Sequence, residues 1–300
     1  MKSGTSTLRY IMSLHENVYI PENEINFFSI GDFVGHPFLS YNFTIQSEEE
    51  DLSTYWDQYR QSFEDATPDQ VIGEDSTGYL SSKKAPTRIA RSIPEVKLIF
   101  LLRDPVERAY SHYYHALQAG RAIYDFEDAL QYGRRCYITL GLYKEQLQRY
   151  LGVFDRKSIN ILIFEDFIRN MQTRIDELCE WLGLSKSLNL SSLNSTRKNS
   201  SLVPHWPRLM QWQNYIFRSL QARNKTHRIA GIHEDEFSGV ERLMNSVNYR
   251  LRYYNLHEGE KPPMSPEAES FLQDLYTREN RGLSELIGRN LKPYWPYMDQ

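Results

Sequence analysis

Only two cysteines, Cys136 and Cys179, occur in 300 residues. They lie far apart, which excludes a disulfide framework and a cysteine-built zinc site, and both read as reduced core thiols of a cytoplasmic protein. No apolar run approaches the roughly 20 residues that span a bilayer, and no signal-peptide pattern opens the chain. There is no Gly/Ser- or Pro-rich linker, no internal repeat and no low-complexity tract, so one domain over 1–300 is expected instead of two. The eight histidines are scattered and form no metal-ligand spacing, so no metal is expected. A net charge of −4 excludes a general binder of polyanions such as nucleic acid and leaves anionic ligands to local basic patches. Nothing in the sequence fixes an oligomeric state. A hydrophobic content of 40%, with 21 Tyr and 14 Phe, is enough for a sizeable aromatic-rich core.

What the chain does have is two anion-binding signals. The first is Lys2-Ser3-Gly4-Thr5-Ser6-Thr7-Leu8, followed by Leu8, Ile11, Met12 and His15 at helical spacing. Gly4 permits a tight turn, and the N–H groups and hydroxyls after it can wrap a phosphate at a helix start. It is not a Walker A loop, because the lysine precedes the glycine. The second signal is Arg103-Asp104-Pro105-Val106-Glu107-Arg108-Ala109-Tyr110, with Ser111 next. It follows the apolar strand candidate 97–102 and opens a helix, where a parallel α/β sheet places its ligand. Asp104 can cap, Pro105 suits the first helical position and Glu107 completes a capping-box pattern. Arg103 is left at the strand's carboxyl end. Arg108, Ser111 and His115 share one helix face directed at the same crevice.

Strand candidates near 18–20, 71–73, 97–102 and 159–163 alternate with helix candidates at 5–15, 85–92, 143–154 and 172–182, the last stopped by Gly183. The expected fold is α/β, with a central, mainly parallel sheet covered by helices on both faces. Helices are also expected over 206–220 and 266–287, the second entered by Ser265 and Pro266. The acidic run Glu48 to Asp51 reads as a solvated helix start, and residues 185–205 as a long loop.

In that order, the two motifs resemble those of the sulfotransferases that use 3′-phosphoadenosine 5′-phosphosulfate (PAPS), most of all the heparan-sulfate-type glycan enzymes. Asn23 to Phe28, Glu74 to Tyr79, Gly141-Leu142-Tyr143, the 159–163 strand and the ending from Leu283 to Trp295 extend the similarity nearly end to end. The resemblance implies a P-loop-like fold and PAPS as co-substrate, leaving as PAP, with no metal required. It implies that Lys2, Ser3, Gly4, Thr5, Ser6 and Thr7 hold the 5′-phosphosulfate and that Arg103 and Ser111 hold the 3′-phosphate. Arg197 and Lys198 would belong to a loop closing over the nucleotide, or to an ordinary surface connection. Glu24 would be the catalytic carboxylate. Two departures stand out. The family places a β-strand directly before the lysine, so that strand is expected to be missing from this chain. Asn26 stands where the glycan enzymes often carry a histidine.

Sulfuryl transfer needs in-line positioning and charge neutralisation on the leaving phosphate. Lys2 suits that role as a compact, mobile charge. The acceptor hydroxyl needs a base, and Glu24 is the candidate, with His115 in support. Asp75 competes for that role and otherwise contacts the acceptor. Lys83, Lys84 and Arg88, with Arg91 beside them, form a basic cluster that either grips an acidic acceptor or is a solvated helix face. The expected reaction is O-sulfation of a glycan or small-molecule acceptor. Sulfation of a lipid or secondary-metabolite alcohol, an inactive PAP-binding module and a P-loop-like nucleotide kinase are the alternatives.

Overall fold

A computed structural model describes residues 2–30, 32, 56–133, 135–186, 188–190, 201–218 and 239–298. Along the chain come α1 (Thr5–Ser13), β1 (Val18–Tyr19), α2 (Trp56–Gln61), β2 (Val71–Ile72), α3 (Ala85–Ser92), β3 (Leu98–Leu102) and α4 (Pro105–Gln118). Then follow α5 (Phe126–Gln131), α6 (Cys136–Thr139), α7 (Tyr143–Leu151), β4 (Ile159–Ile163), α8 (Phe164–Arg169) and α9 (Met171–Leu182). The C-terminal part holds β5 (Ser201–Pro204), α10 (Pro207–Ile216), α11 (Gly239–Asn255), β6 (Leu256–Gly259), α12 (Pro266–Glu279) and α13 (Leu283–Ile287).

β3 and β4 pair in parallel from Leu98↔Ile159 to Leu102↔Ile163. Side chains alternate across this pair, so each face covers its own core. Phe100, Leu102, Ile159 and Ile163 join a cluster with Val106, Ala109, Leu117, Leu147, Tyr150, Tyr276 and Trp295. Leu101 and Leu162 face Leu8, Ile11, Met12, Val18, Phe167, Ile175, Leu178 and Cys179. Helices therefore lie on both faces, and the fold class is α/β as expected. Cys136 and Cys179 are buried free thiols.

The sheet itself differs from the expectation. Among the described residues it is not continuous: β1–β2 and β3–β4 are separate parallel pairs, and β5–β6 is a third, antiparallel pair. The two parallel pairs meet through side chains of α1 and Val18 packed on Leu101 and Leu162, not through ladder hydrogen bonds. β5 occupies residues expected to be loop, because its partner β6 lies more than fifty residues away and has no local signal. The expected helix over 266–287 is two, broken at Gly282 (φ +79°), where the buried Asn280 accepts from Lys144 N and donates to Gly141 O. The helices expected over 5–15 and 206–220 stop at Ser13 and Ile216. Gly183 ends α9 at φ +80°. The acidic run Glu48 to Asp51 lies outside the described residues.

Candidate active site

The carboxyl ends of four strands converge. β1 leads to Glu24, β2 to Glu74 and Asp75, β3 to Arg103, and β4 to Phe164, which is where an α/β sheet holds its ligand. The first loop sits among them. Lys2 (φ 62°) and Gly4 (φ 87°) both take left-handed backbone, and Gly4 heads α1 with no side-chain cap and no acid in the first turn. Its leading N–H groups are thus presented to an anion. A Cβ on Gly4 would lie 2.6 Å from the Phe164 ring, so only glycine lets the loop approach the strand ends this closely.

Arg103 joins the loop to the second motif. Its Nη1 donates to the Lys2 carbonyl at 3.3 Å, its Nη2 pairs with Glu107 at 3.2 Å, and its guanidinium lies over the Phe164 ring. The Tyr143 hydroxyl donates to the Arg103 carbonyl at 2.9 Å and fixes the backbone there. Asp104 caps α4 through Val106 N and Glu107 N. The expected capping box does not form, because Glu165 Oε1 accepts from Asp104 N at 3.0 Å and Glu107 turns to Arg103. Burial raises the Asp104 carboxyl to about 6.

Arg108 does not reach the crevice. It is 1% exposed and donates to the Tyr137 carbonyl, so it packs α4 against α6. Ser111 is buried on α4. His115 does face the loop: burial lowers its pKa to about 4, and the Lys2 and Arg121 charges act in the same direction. It is a neutral imidazole near pH 7.

The acidic half of the site hangs on Glu74. Its carboxylate accepts from Tyr59 (2.9 Å), Ser76 (2.5 Å) and Tyr79. Ser76 Oγ then accepts from Asn26 N at 2.9 Å, and the Tyr79 hydroxyl accepts from Phe28 N at 3.2 Å. One carboxylate thereby positions the whole 26–28 segment. Asn26 holds left-handed backbone (φ 55°), a conformation asparagine tolerates, and its Nδ2 donates to Glu24 at 3.2 Å. Thr77 Oγ1 donates to the same carboxylate at 2.9 Å. Asp75 lies between Glu24 and the loop. Burial and then the Glu24 charge raise it to about 6, against the pull of Arg9 and a hydrogen bond from Thr5.

The basic cluster of α3 is arranged differently from the expectation. Arg88 Nη1 donates to the carbonyls of Phe28 (3.1 Å) and Ile30 (2.5 Å), so its guanidinium braces the Glu24 segment instead of projecting outward. Lys83 N and Lys84 N donate to Asp32, which holds the start of α3. Arg197 and Lys198 lie outside the described residues.

Lys261, just after β6, was not legible in the sequence. Burial first, then Arg103, with a smaller part from Lys2, lower its pKa to about 8, which places it in the same cationic cluster. The Tyr110 hydroxyl donates to Pro262 O at 2.9 Å and fastens this segment to α4. Lys2 is likewise lowered, by burial and then by Arg103. Lys2, Arg103 and Lys261 crowd together at an uncapped helix start, with the proton affinity of the two lysines depressed, an arrangement suited to a multiply charged anion. Among the described residues, no three His, Cys, Asp or Glu side chains converge as a metal-ligand set.

A sulfotransferase domain family model matches residues 1–222. The mouse bifunctional heparan sulfate N-deacetylase/N-sulfotransferase 4 is 24% identical over 76% of this chain and 23% of its own length. Mouse heparan sulfate glucosamine 3-O-sulfotransferase 5 is 23% identical over 65% of this chain and 55% of its own. Mouse carbohydrate sulfotransferase 15 is 29% identical over 38% of this chain and 26% of its own. This chain thus spans between about a quarter and about half of those relatives. The crystal structure of a sulfotransferase from Alicyclobacillus acidocaldarius shares the fold, with a TM-score of 0.62 at 23% identity, over 98% of this chain and 94% of that one.

Proposed function

The chain belongs to the sulfotransferase domain family, and on that premise we propose that it moves a sulfuryl group from PAPS to a hydroxyl of a carbohydrate acceptor, giving PAP and a sulfate ester. One observation carries this reading: the Lys2 loop and Arg103 touch, with Glu24 and Asp75 set beside the same loop. The carbohydrate part rests on relatives named as heparan sulfate and carbohydrate sulfotransferases. The two buried thiols fit a reducing, cytoplasmic setting, and the 1–300 chain is read as one sulfotransferase domain.

The residues present fit PAPS. The α1 start with Ser3 to Thr7 suits one phosphate group, and Arg103, Ser111 and Lys261 suit the other. When bound, PAPS supplies an activated sulfuryl group whose leaving oxygen belongs to a phosphate. Lys2 neutralises charge at that oxygen. Glu24, held by Thr77 and Asn26, accepts the proton of the acceptor hydroxyl. His115, neutral near pH 7, can hydrogen-bond without adding charge. Lys83 and Lys84 remain as acceptor contacts, and Arg88 acts by bracing the base segment.

The test is thermal stabilisation by PAP beside ADP, with and without magnesium, followed by transfer to glycan acceptors. PAP at a hundred times its dissociation constant should add about 2.7 kcal/mol. A shift with PAP well above that with ADP, independent of magnesium, supports the reading. Equal shifts that require magnesium point to a nucleotide kinase instead.

A further inference from the structure

The described residues 206–218 and 239–255 carry five arginines, Arg208, Arg218, Arg242, Arg250 and Arg252, against one acid, Glu241, a net +4 within a chain of overall charge −4. Within this block α10 and α11 run antiparallel and are joined by amides. Gln213 Nε2 donates to the Asn248 carbonyl and Oδ1 at 2.8 and 2.7 Å, and Asn255 Oδ1 accepts from Trp206 N at 2.9 Å. Asn214 Nδ2 donates to the carbonyls of Leu117 and Ala122, tying α10 to the end of α4. The inward side of this helix pair is therefore polar.

Its outward side is apolar. On α11, Val240, Leu243, Met244, Val247, Leu251 and Tyr254 recur at i, i+3, i+4, i+7, i+11 and i+14, a single stripe. All six are exposed, between 38% and 76%. Trp206, the N-cap of α10, and Trp212 within that helix are 62% and 63% exposed. An ordinary surface helix buries such a stripe and exposes its amides; here the order is reversed. Six large apolar side chains left open along one helix face go beyond the singly scattered apolar residues of an ordinary monomer surface.

We infer that this face docks on the surface of an anionic lipid bilayer. Charge decides between occupants. A second copy would bring two surplus-positive faces together across a two-fold axis, whereas anionic headgroups complement them. Side-chain chemistry agrees. Val240, Leu243, Val247 and Leu251 offer a sugar ring little but partition into acyl chains, and Trp206, Trp212 and Tyr254 suit the headgroup level. No described helix is long and apolar enough to cross a membrane, so the contact is one of helices lying in the interface. The inference stands apart from sulfuryl transfer, and its test contains no nucleotide.

The experiment is flotation of the full chain with vesicles of phosphatidylcholine containing about a third phosphatidylglycerol, beside pure phosphatidylcholine. The chain should float with the anionic vesicles at least about tenfold better than with the neutral ones. The double variant Leu243→Ser/Leu251→Ser should lose at least about tenfold of that binding. Its melting temperature should be unchanged, since both side chains already face solvent. Arg250→Gln should weaken binding about fivefold, on anionic vesicles only. A chain that stays down with both compositions, or a double variant that floats like wild type, overturns the inference. So does a dimer in sedimentation that the double variant dissociates while vesicles capture nothing; a second copy then covers the face.

Discussion

The Arg103 guanidinium donates to the main-chain carbonyl of Lys2 across 3.3 Å, so the end of β3 and the first loop share one cationic group. Their contact is a property of the crevice, and any anion entering it meets both.

Replacing Arg103 with alanine should weaken PAP binding roughly ten- to a hundredfold, the worth of about 1.5–3 kcal/mol for a charge-assisted hydrogen bond. Titration calorimetry measures this directly. An unchanged affinity would show that Arg103 only supports Lys2 and Glu107.

Glu24→Gln should lower the transfer rate by about 10²–10⁴-fold, the usual contribution of a positioned base. PAP affinity should stay within about threefold of wild type, because the proposed role of Glu24 is toward the acceptor hydroxyl and not the nucleotide. Equal losses in both would refute its assignment as base.

Gly4→Ala should be felt in stability and ligand binding at once. The new methyl meets the Phe164 ring at 2.6 Å in a left-handed backbone, costing at least about 1 kcal/mol. A melting curve with and without PAP checks it, and a neutral result would mean the loop does not approach the strand ends.

Asp75 gives a pH signature of definite sign. Its folded pKa of about 6 lies above the ordinary 3.8, so the folded state holds the proton more tightly. The stability it contributes is full below about pH 4 and is lost as pH rises through 6. Asp75→Asn should therefore stabilise the protein progressively from pH 4 to 6 and level off above, by about 1–2 kcal/mol after solvent screening. Denaturant midpoints across that range test it; a difference independent of pH would remove Asp75 from the cluster.

Lys261→Ala should reduce PAP affinity about tenfold at pH 7. With a pKa near 8, Lys261 loses its charge above that pH, so wild-type affinity should decline there more steeply than that of the variant. Parallel pH profiles would place Lys261 outside the anion site.

Most of the geometry around the first loop and the start of α4 was legible because its signals are local. Gly4, Asp104 and Pro105 dictate backbone geometry within a few residues, and β3 announces itself by five consecutive apolar positions. The surroundings of Glu24 were less so. Arg88 has the same spacing whether its guanidinium faces solvent or the Phe28 and Ile30 carbonyls, and only the packed fold decides. Glu74 looked like one acid of a motif, but its three hydroxyl donors come from Tyr59, Ser76 and Tyr79. Lys261 reaches the site through the pairing of β5 with β6 and the Tyr110 tie, neither of which has a sequence-local cue.

The division between the two parallel pairs gives the crevice two jaws. Glu24 and Asp75 ride on the β1–β2 side, Arg103 on the β3–β4 side, and among the described residues no ladder bond rivets one to the other. The separation of Glu24 and Asp75 from Arg103 is therefore set by the packing of the apolar cluster that Leu8 and Ile11 share with Val18 and Leu101. A methyl group added or removed in that cluster resets the width of the crevice without altering a single residue that lines it.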